Sequence, residues 1–505
     1  MITKNNISKF IYYLVLAIIL IFGLYIRTKL YIASDVLEDD ECRLALGMMD
    51  KSLWQMFLPL GAFSTTPLFS FISKIIGELS NYNEHALKFL PYVFSIASLG
   101  LFYKICEENL NRKISILLSL FLFVINYDAI YFSSIFKTYS IEIFTSLLCL
   151  YYFPKINIKE LNGKQLALFT FSTIALMLLS FPSLFFITAY FMLSIFYNYK
   201  DKIFYKKFFI IFIPFLLTFS LLYFYYLTPA KAMQMEHFST YWNGVFSAKV
   251  LTSVAVMLKH LLEPNKYTLF PIILIISYII YAIYNKKEHS HTNIFLLCVF
   301  GLSILASCLK LYPLLVGRTA VYLFPIIIIL LVKLLDILDK KNILLYLCFI
   351  IFSVSIYSYF TPAYFNTINN PTARYIKFAP KSLMQDMIKQ FNPKTDEIIT
   401  TQASAYSYTF YAIKNNFFRK WYMLEQKYND INQVYDYNIA LKSYSDYYNN
   451  LDKNKNYWFY LIKEYKLSPQ VAPTLEWLSH QNVLYSKKEL DSYLYYISGI
   501  KEVNP

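Results

Sequence analysis

FIYYLVLAIILIFGLYIR, residues 10–27, followed a few residues later by DVLEDDECR, residues 35–43, is the stretch on which the reading of this chain turns. Its first part is an apolar run that ends on Arg27. At a rise of about 1.5 Å per residue, such a run spans the hydrocarbon core of a bilayer as a helix. Its second part sets five carboxylates, Asp35, Glu38, Asp39, Asp40 and Glu41, within seven residues. Like charges this close repel one another. Crowding of this kind raises carboxyl pKa values and can poise one acid for proton abstraction. The plainer reading is a solvated loop start whose acids cap a helix N-terminus.

Apolar runs of similar length recur along the rest of the chain. Of 505 residues, 57% are hydrophobic and only 16% are charged. An average soluble domain carries about 25% charged residues. A disordered chain, a disulfide scaffold and an ordinary soluble enzyme are poor fits. Apolar runs at 10–27, 86–105, 114–132, 138–153, 165–181, 183–198, 207–227, 268–284, 293–309, 318–336 and 342–360 give an α-helical polytopic membrane protein with about eleven spans, or up to about thirteen. The segment 249–262 is short and carries Lys249, Lys259 and His260, and reads as an interfacial helix. The first span reads as a retained anchor, because no convincing small-residue cleavage site follows it. Cys42, Cys106, Cys149, Cys298, Cys308 and Cys348 show no paired spacing and read as small apolar core residues.

The net charge is +15. The basic residues sit between apolar runs, so they report orientation in a membrane rather than contact with nucleic acid. With the N-terminus inside, the inner segments carry Lys4, Lys9, Lys104, Arg112, Lys113, Lys155, Lys159, Lys164, Lys200, Lys202, Lys206, Lys207, Lys286, Lys287, Lys340 and Lys341. The short outer loops carry Lys137, Lys310 and Arg318. This asymmetry obeys the positive-inside rule, and an odd number of spans then puts the C-terminal part outside; the expected location is the cytoplasmic (inner) membrane, with the N-terminus inside. The expected organisation is a transmembrane domain over 1–360, with a first outer loop at 28–85, and a soluble extracytoplasmic domain over 361–505. In the first outer loop, Cys42 to Phe57 has the pattern of an amphipathic helix, and Thr66-Pro67-Leu68-Phe69 opens a second apolar stretch. Both read as interfacial helices. In the tail, the β-branched run Ile398-Ile399-Thr400-Thr401 before a helix start near Ser404 points to a small α/β domain.

The ordered pattern of Asp40-Glu41-x-Arg43, Thr66-Pro67-Leu68-Phe69 and Ala86-Leu87-Lys88-Phe89-Leu90-Pro91 resembles the GT-C membrane glycosyltransferases. Within them it is most similar to the protein O-mannosyltransferase and lipid A aminoarabinose transferase group, the glycosyltransferase family 39-like enzymes. That group has an Asp-Glu pair after its first span, a Pro-Pro-Leu-like turn and an Arg-Leu-Pro-like start to its second span. Ser133 to Glu142, around Lys137 and Tyr139, resembles the family's short second outer loop. Ser180-Phe181-Pro182-Ser183 resembles its Ser-x-Pro turn. Gly317-Arg318 through Tyr322 to Pro325 resembles an Arg-Tyr-x-x-Pro helix start.

The resemblance implies an inverting transferase that takes a sugar from a polyprenyl-phosphate carrier on the outer membrane face. The acceptor is a lipid, a protein or a glycan. Asp40 is then the general base, with Asp39 an alternative one residue away, and Glu41 holds the loop or tunes Asp40. Arg43, Lys137 and Arg318 face the lipid phosphate, and Tyr139 lies beside them. For Lys137 and Arg318 the competing reading is snorkelling to headgroups, and for Tyr139 an interfacial aromatic. The sequence departs from the family at Thr65, where aminoarabinose transferases have Lys, and at Thr66, where they have Pro. No cofactor is firmly implied, and a divalent cation is left open because Asp128 and Glu142 lie near a metal-holding position without aligning to it. A reading from another class is a transporter or flippase of a lipid-linked glycan, which would bury ionisable residues within the membrane. Trp421, Trp458 and Trp477 in the tail suit either sugar stacking or core packing.

Overall fold

The computed structural model describes residues 4–60, 65–232, 291–309, 311–312, 319–338, 380–400, 402–417, 421–423, 448, 451–462, 471–489 and 492–498. The chain is mostly helical with one small sheet. It divides into two compact units: Met1–Ile32 with Lys51–Ile368, and Ala33–Asp50 with Asn369–Pro505. The acid-rich segment, which the sequence places in an outer loop of the membrane domain, thus belongs to the same unit as the C-terminal sheet.

The first unit contains α1 (Lys4–Ala33), and the chain returns to it after α2 (Asp39–Met49) of the second unit. It then continues through α3 (Pro67–Leu79), α4 (Glu84–Asn109), α5 (Lys113–Val124), α6 (Tyr127–Tyr131), α7 (Tyr139–Tyr152), α8 (Gly163–Leu179), α9 (Ser183–Asn198), α10 (Lys202–Leu222), α11 (His291–Cys308) and α12 (Phe324–Leu338). Among the described residues, Lys9–Ala33, Glu84–Asn109 and Lys202–Ala232 are long and apolar enough to cross a membrane. A fourth is counted if Lys113–Val124 and Asp128–Ser134, bent by 58°, form one span. The remaining apolar helices are shorter. The expected spans 268–284 and 342–360 and the helix 249–262 lie outside the described residues.

Local chemistry explains where these helices stop. The α3–α4 turn uses two left-handed residues, Asn81 and Tyr82, both at φ 52°. The Tyr82 N–H closes the turn on the Gly77 carbonyl at 2.7 Å. A Cβ at Gly77 would lie 2.7 Å from the Tyr82 ring, so only glycine admits that ring. Asn83 then caps α4 by accepting from the His85 and Ala86 N–H groups. Between α5 and α6, Asn126 accepts the Ala129 N–H at 2.8 Å and starts a new helix. The fully buried Arg27 guanidinium donates to the carbonyls of Val124 and Gly23, each at 3.2 Å, and to Ser95 Oγ at 2.9 Å. It therefore satisfies a carbonyl that the helix break leaves open. α10 runs past Pro214 into a π-helical turn, Tyr223–Leu227.

The second unit holds α2, α13 (Pro380–Gln390), α14 (Gln402–Lys414), α15 (Val471–Ser479) and the strands β1 (Asp396–Thr400), β2 (Trp421–Met423), β3 (Asn456–Ile462), β4 (Val483–Glu489) and β5 (Ser492–Ser498). The sheet order is β2-β1-β3-β5-β4. β1 is parallel to β2 and β3, while β5 is antiparallel to β3 and β4. Every residue from Tyr457 to Leu461 is at most 1% exposed, as a central strand covered on both faces requires. Trp458 and Trp477 are core residues, at 0% and 1% exposure. The Trp421 side chain lies outside the described residues.

Asp396, at the start of β1, ties three strands together. It is 7% exposed. Its carboxylate accepts from Asn392 N at 2.9 Å, Thr395 Oγ1 at 2.8 Å, Trp458 Nε1 at 3.0 Å, Asn456 Nδ2 at 3.1 Å and Tyr496 Oη at 3.2 Å. Burial alone pushes this carboxyl up. The donors from Asn392, Trp458, Thr395 and Asn456 outweigh burial and hold it below the ordinary aspartate value.

Candidate active site

In the second unit the acids open a helix. Glu38 is the N-cap of α2, and its N–H donates to Glu41 Oε2 at 2.8 Å. Glu41 is 1% exposed, so its carboxylate is built into the helix start. Asp40 is half-buried in the first turn. Arg43 follows three residues later, on the same side of the helix. The Asp39 side chain lies outside the described residues.

The apolar stripe of α2 explains its position in this unit. Cys42, Leu44, Ala45 and Met48 are at most 1% exposed, and α2 packs against α14. The sequence reading gave that apolar stripe to the membrane interface; in the structure protein covers it. The same reading carried one helix from Cys42 to Phe57. Instead α2 ends at Met49, and Ser52 starts a separate 3-10 turn, Leu53–Phe57, with its N–H on Gln55 Oε1 at 2.8 Å. Before α2, the Leu37 N–H donates to the Tyr411 hydroxyl at 3.0 Å. The Arg43 guanidinium lies 4.0 Å over the Tyr406 ring.

In the first unit, several of the turns singled out in the sequence come together. Thr66, the N-cap of α3, donates its hydroxyl to the Leu179 carbonyl at 2.9 Å, beside the Ser180–Ser183 turn. Tyr226, in the π-helical turn, donates to the Thr65 carbonyl and packs its ring 6.1 Å from that of Phe181. Phe69 packs on Phe136, next to Lys137, with ring centroids 5.6 Å apart. Tyr322 stacks on Phe185 at 5.8 Å. The short loop is fixed from below: Thr138 Oγ1 donates to Glu142 Oε1 at 2.8 Å, and Glu142 N to the Thr138 carbonyl at 2.8 Å. Glu142 is 6% exposed. Lys137 and Tyr139 are half-buried at the head of α7, and Tyr139 packs on Phe132 at 4.4 Å. Arg318 lies outside the described residues.

The catalytic and phosphate-facing residues expected from sequence therefore fall in both units: Asp39, Asp40, Glu41 and Arg43 in one, Lys137 and Tyr139 in the other. Sequence reasoning missed Tyr406 and Tyr411, whose packing on α2 joins residues far apart in the chain. It also missed the burial of Arg27, Glu84, Lys88 and Glu142, at 0%, 2%, 1% and 6% exposure. The Thr138–Glu142 spacing of four residues was the available signal for the last. Among the described residues, no group of three or more His, Cys, Asp or Glu side chains is placed to hold a metal ion.

Fold and site together define a mostly helical chain with membrane-length apolar helices, a small mixed sheet and an acid-headed helix anchored beside that sheet. No protein-family model matches the chain, and no curated protein matches it either. Among solved structures, it is similar to an oligosaccharyltransferase of Archaeoglobus fulgidus, crystallised with zinc and sulfate, at TM-score 0.43 and 13% sequence identity. The match covers 78% of this chain and 61% of that one, so the chain spans about three fifths of that protein's length.

Proposed function

We propose that this protein is an inverting membrane glycosyltransferase that moves a sugar from a polyprenyl-phosphate carrier to a lipid, protein or glycan acceptor on the outer face of the cytoplasmic membrane. The observation that carries the proposal is the constitution of α2: Glu41 is consumed by the helix cap, while Asp40 and Arg43 share one side of the helix one turn apart. A carboxylate base and a fixed-charge cation on one side of a helix suit a single-displacement sugar transfer with a phosphate leaving group. Asp40, or Asp39 in its place, takes the proton of the acceptor hydroxyl as its oxygen bonds to the anomeric carbon. The bond from that carbon to the phosphate oxygen breaks, and the charge on the departing lipid phosphate is met by Arg43, whose guanidinium offers a planar fork of donors. Lys137 and Arg318 are proposed as further phosphate-facing cations, with Tyr139 beside Lys137.

The test is release of free polyprenyl phosphate from a panel of polyprenyl-phosphate monosaccharides by the full chain in lipid. A second reading, a transporter or flippase of a lipid-linked glycan, draws on the burial of Arg27, Glu84, Lys88 and Glu142 in the unit that holds the membrane-length helices. Movement of intact lipid-linked sugar between leaflets, without release of polyprenyl phosphate, would favour it.

A further inference from the structure

α2 is only 11 residues long. A helix of that length is marginal on its own and keeps its shape through tertiary packing. The packing comes from α14. Contacts that fix α2 there include the apolar stripe of Cys42, Leu44, Ala45 and Met48, the Leu37 N–H on the Tyr411 hydroxyl, and the Arg43 guanidinium over the Tyr406 ring. The first two set where the helix lies and where it starts. The third acts on one functional side chain. An arginine stem has several rotatable bonds, so an unsupported guanidinium samples many positions. Stacking on an aromatic face holds the flat group by its π surface, while its N–H donors point outward in its own plane.

We infer that Tyr406 is a positioning residue for Arg43, holding the guanidinium flat so that its donor edge is presented to an organic phosphate. This rests on the proposed function, which gives Arg43 its phosphate. The work is done by the ring face, so an aromatic replacement keeps it and an aliphatic one loses it.

The experiment uses the full chain in lipid nanodiscs and farnesyl phosphate as the probe. Tyr406→Leu is expected to weaken binding about tenfold, in the range of a partly desolvated cation–aromatic contact. Tyr406→Phe is expected to bind like the parent. In an Arg43→Met background, Tyr406→Leu is expected to cause no further loss, because the two residues act as one unit. If Tyr406→Leu simply loosened α2, it would weaken binding equally in both backgrounds, and that result overturns the inference. So does unchanged binding in Tyr406→Leu, or an equal loss in Tyr406→Phe. Failure of the parent to bind farnesyl phosphate overturns the proposed function itself, and the inference with it.

Discussion

Replacing Asp396 by Ala removes the acceptor on which β1, β3 and β5 converge. The Trp458 indole N–H is fully buried and the Asn392 N–H faces the same carboxylate. Alanine offers neither an acceptor, and water cannot reach Trp458 without opening the sheet. Each buried donor left unpaired costs about 1–3 kcal/mol. The Asn392, Thr395, Asn456 and Tyr496 donors belong to part-buried hydrogen bonds and find water at smaller cost. The expected loss is about 2–4 kcal/mol of local stability, most of it from the one buried donor at Trp458, and Asp396→Asn, which keeps one acceptor oxygen, should lose about half of it. Hydrogen exchange of the full chain reads this directly: amides of β1, β3 and β5 should exchange faster while those of α4 and α7 stay unchanged. The same carboxylate gives a pH dependence. Its folded pKa lies below the unfolded value of about 3.9. As pH falls, the unfolded chain therefore takes up the proton first. The contribution is present in full above the unfolded value and disappears as pH falls through the folded one. Exchange rates within about twofold of the parent in Asp396→Ala, or a pH profile of sheet stability unaltered by it, would refute this reasoning.

Other consequences are as specific. Gly77→Ala puts a methyl group 2.7 Å from the Tyr82 ring and should cost about 1–3 kcal/mol, seen as a lower unfolding temperature in detergent; Gly100→Ala, which meets no atom within 4 Å, should not. Glu41→Ala removes the acceptor of the Glu38 N–H and should destabilise the start of α2 by about 1 kcal/mol, measured as faster exchange of the Glu38 to Cys42 amides. Arg27→Met leaves the Val124 carbonyl and Ser95 hydroxyl without that donor and should cost about 2–4 kcal/mol, read as a lower thermal midpoint of the membrane-embedded part.

Much of the helical layout was legible because apolar runs of the right length leave few alternatives. The runs at 86–105, 165–181 and 183–198 correspond to Glu84–Asn109, Gly163–Leu179 and Ser183–Asn198. Ile398 to Thr401, followed by a helix start, likewise corresponds to β1 and α14. What was hidden depends on side chains reaching across the fold. The run at 114–132 looks continuous, yet Asn126 starts a new helix and Arg27 takes the carbonyl freed by the break. The Cys42–Phe57 pattern looks like one amphipathic helix, although Ser52 and Gln55 carry a capping signal that ends that reading. The partner of α2 was out of reach, since Leu37 meets Tyr411 across 374 residues of chain and no local pattern records such a contact. The acids themselves were visible, but only the structure shows that Glu41 is buried in the helix cap.

Asp40 is the residue on which the proposed reaction depends most directly. The full chain in lipid is to be supplied with a panel of polyprenyl-phosphate monosaccharides and candidate acceptors, with release of free polyprenyl phosphate followed for the parent and for Asp40→Asn. The expected result is turnover by the parent, a fall of about 10²–10⁴-fold in kcat for Asp40→Asn, and retained binding of farnesyl phosphate. Loss in Asp39→Asn instead would keep the reaction and move the base by one residue. Turnover that survives both substitutions, or intact lipid-linked sugar crossing between leaflets with no phosphate released, would contradict it.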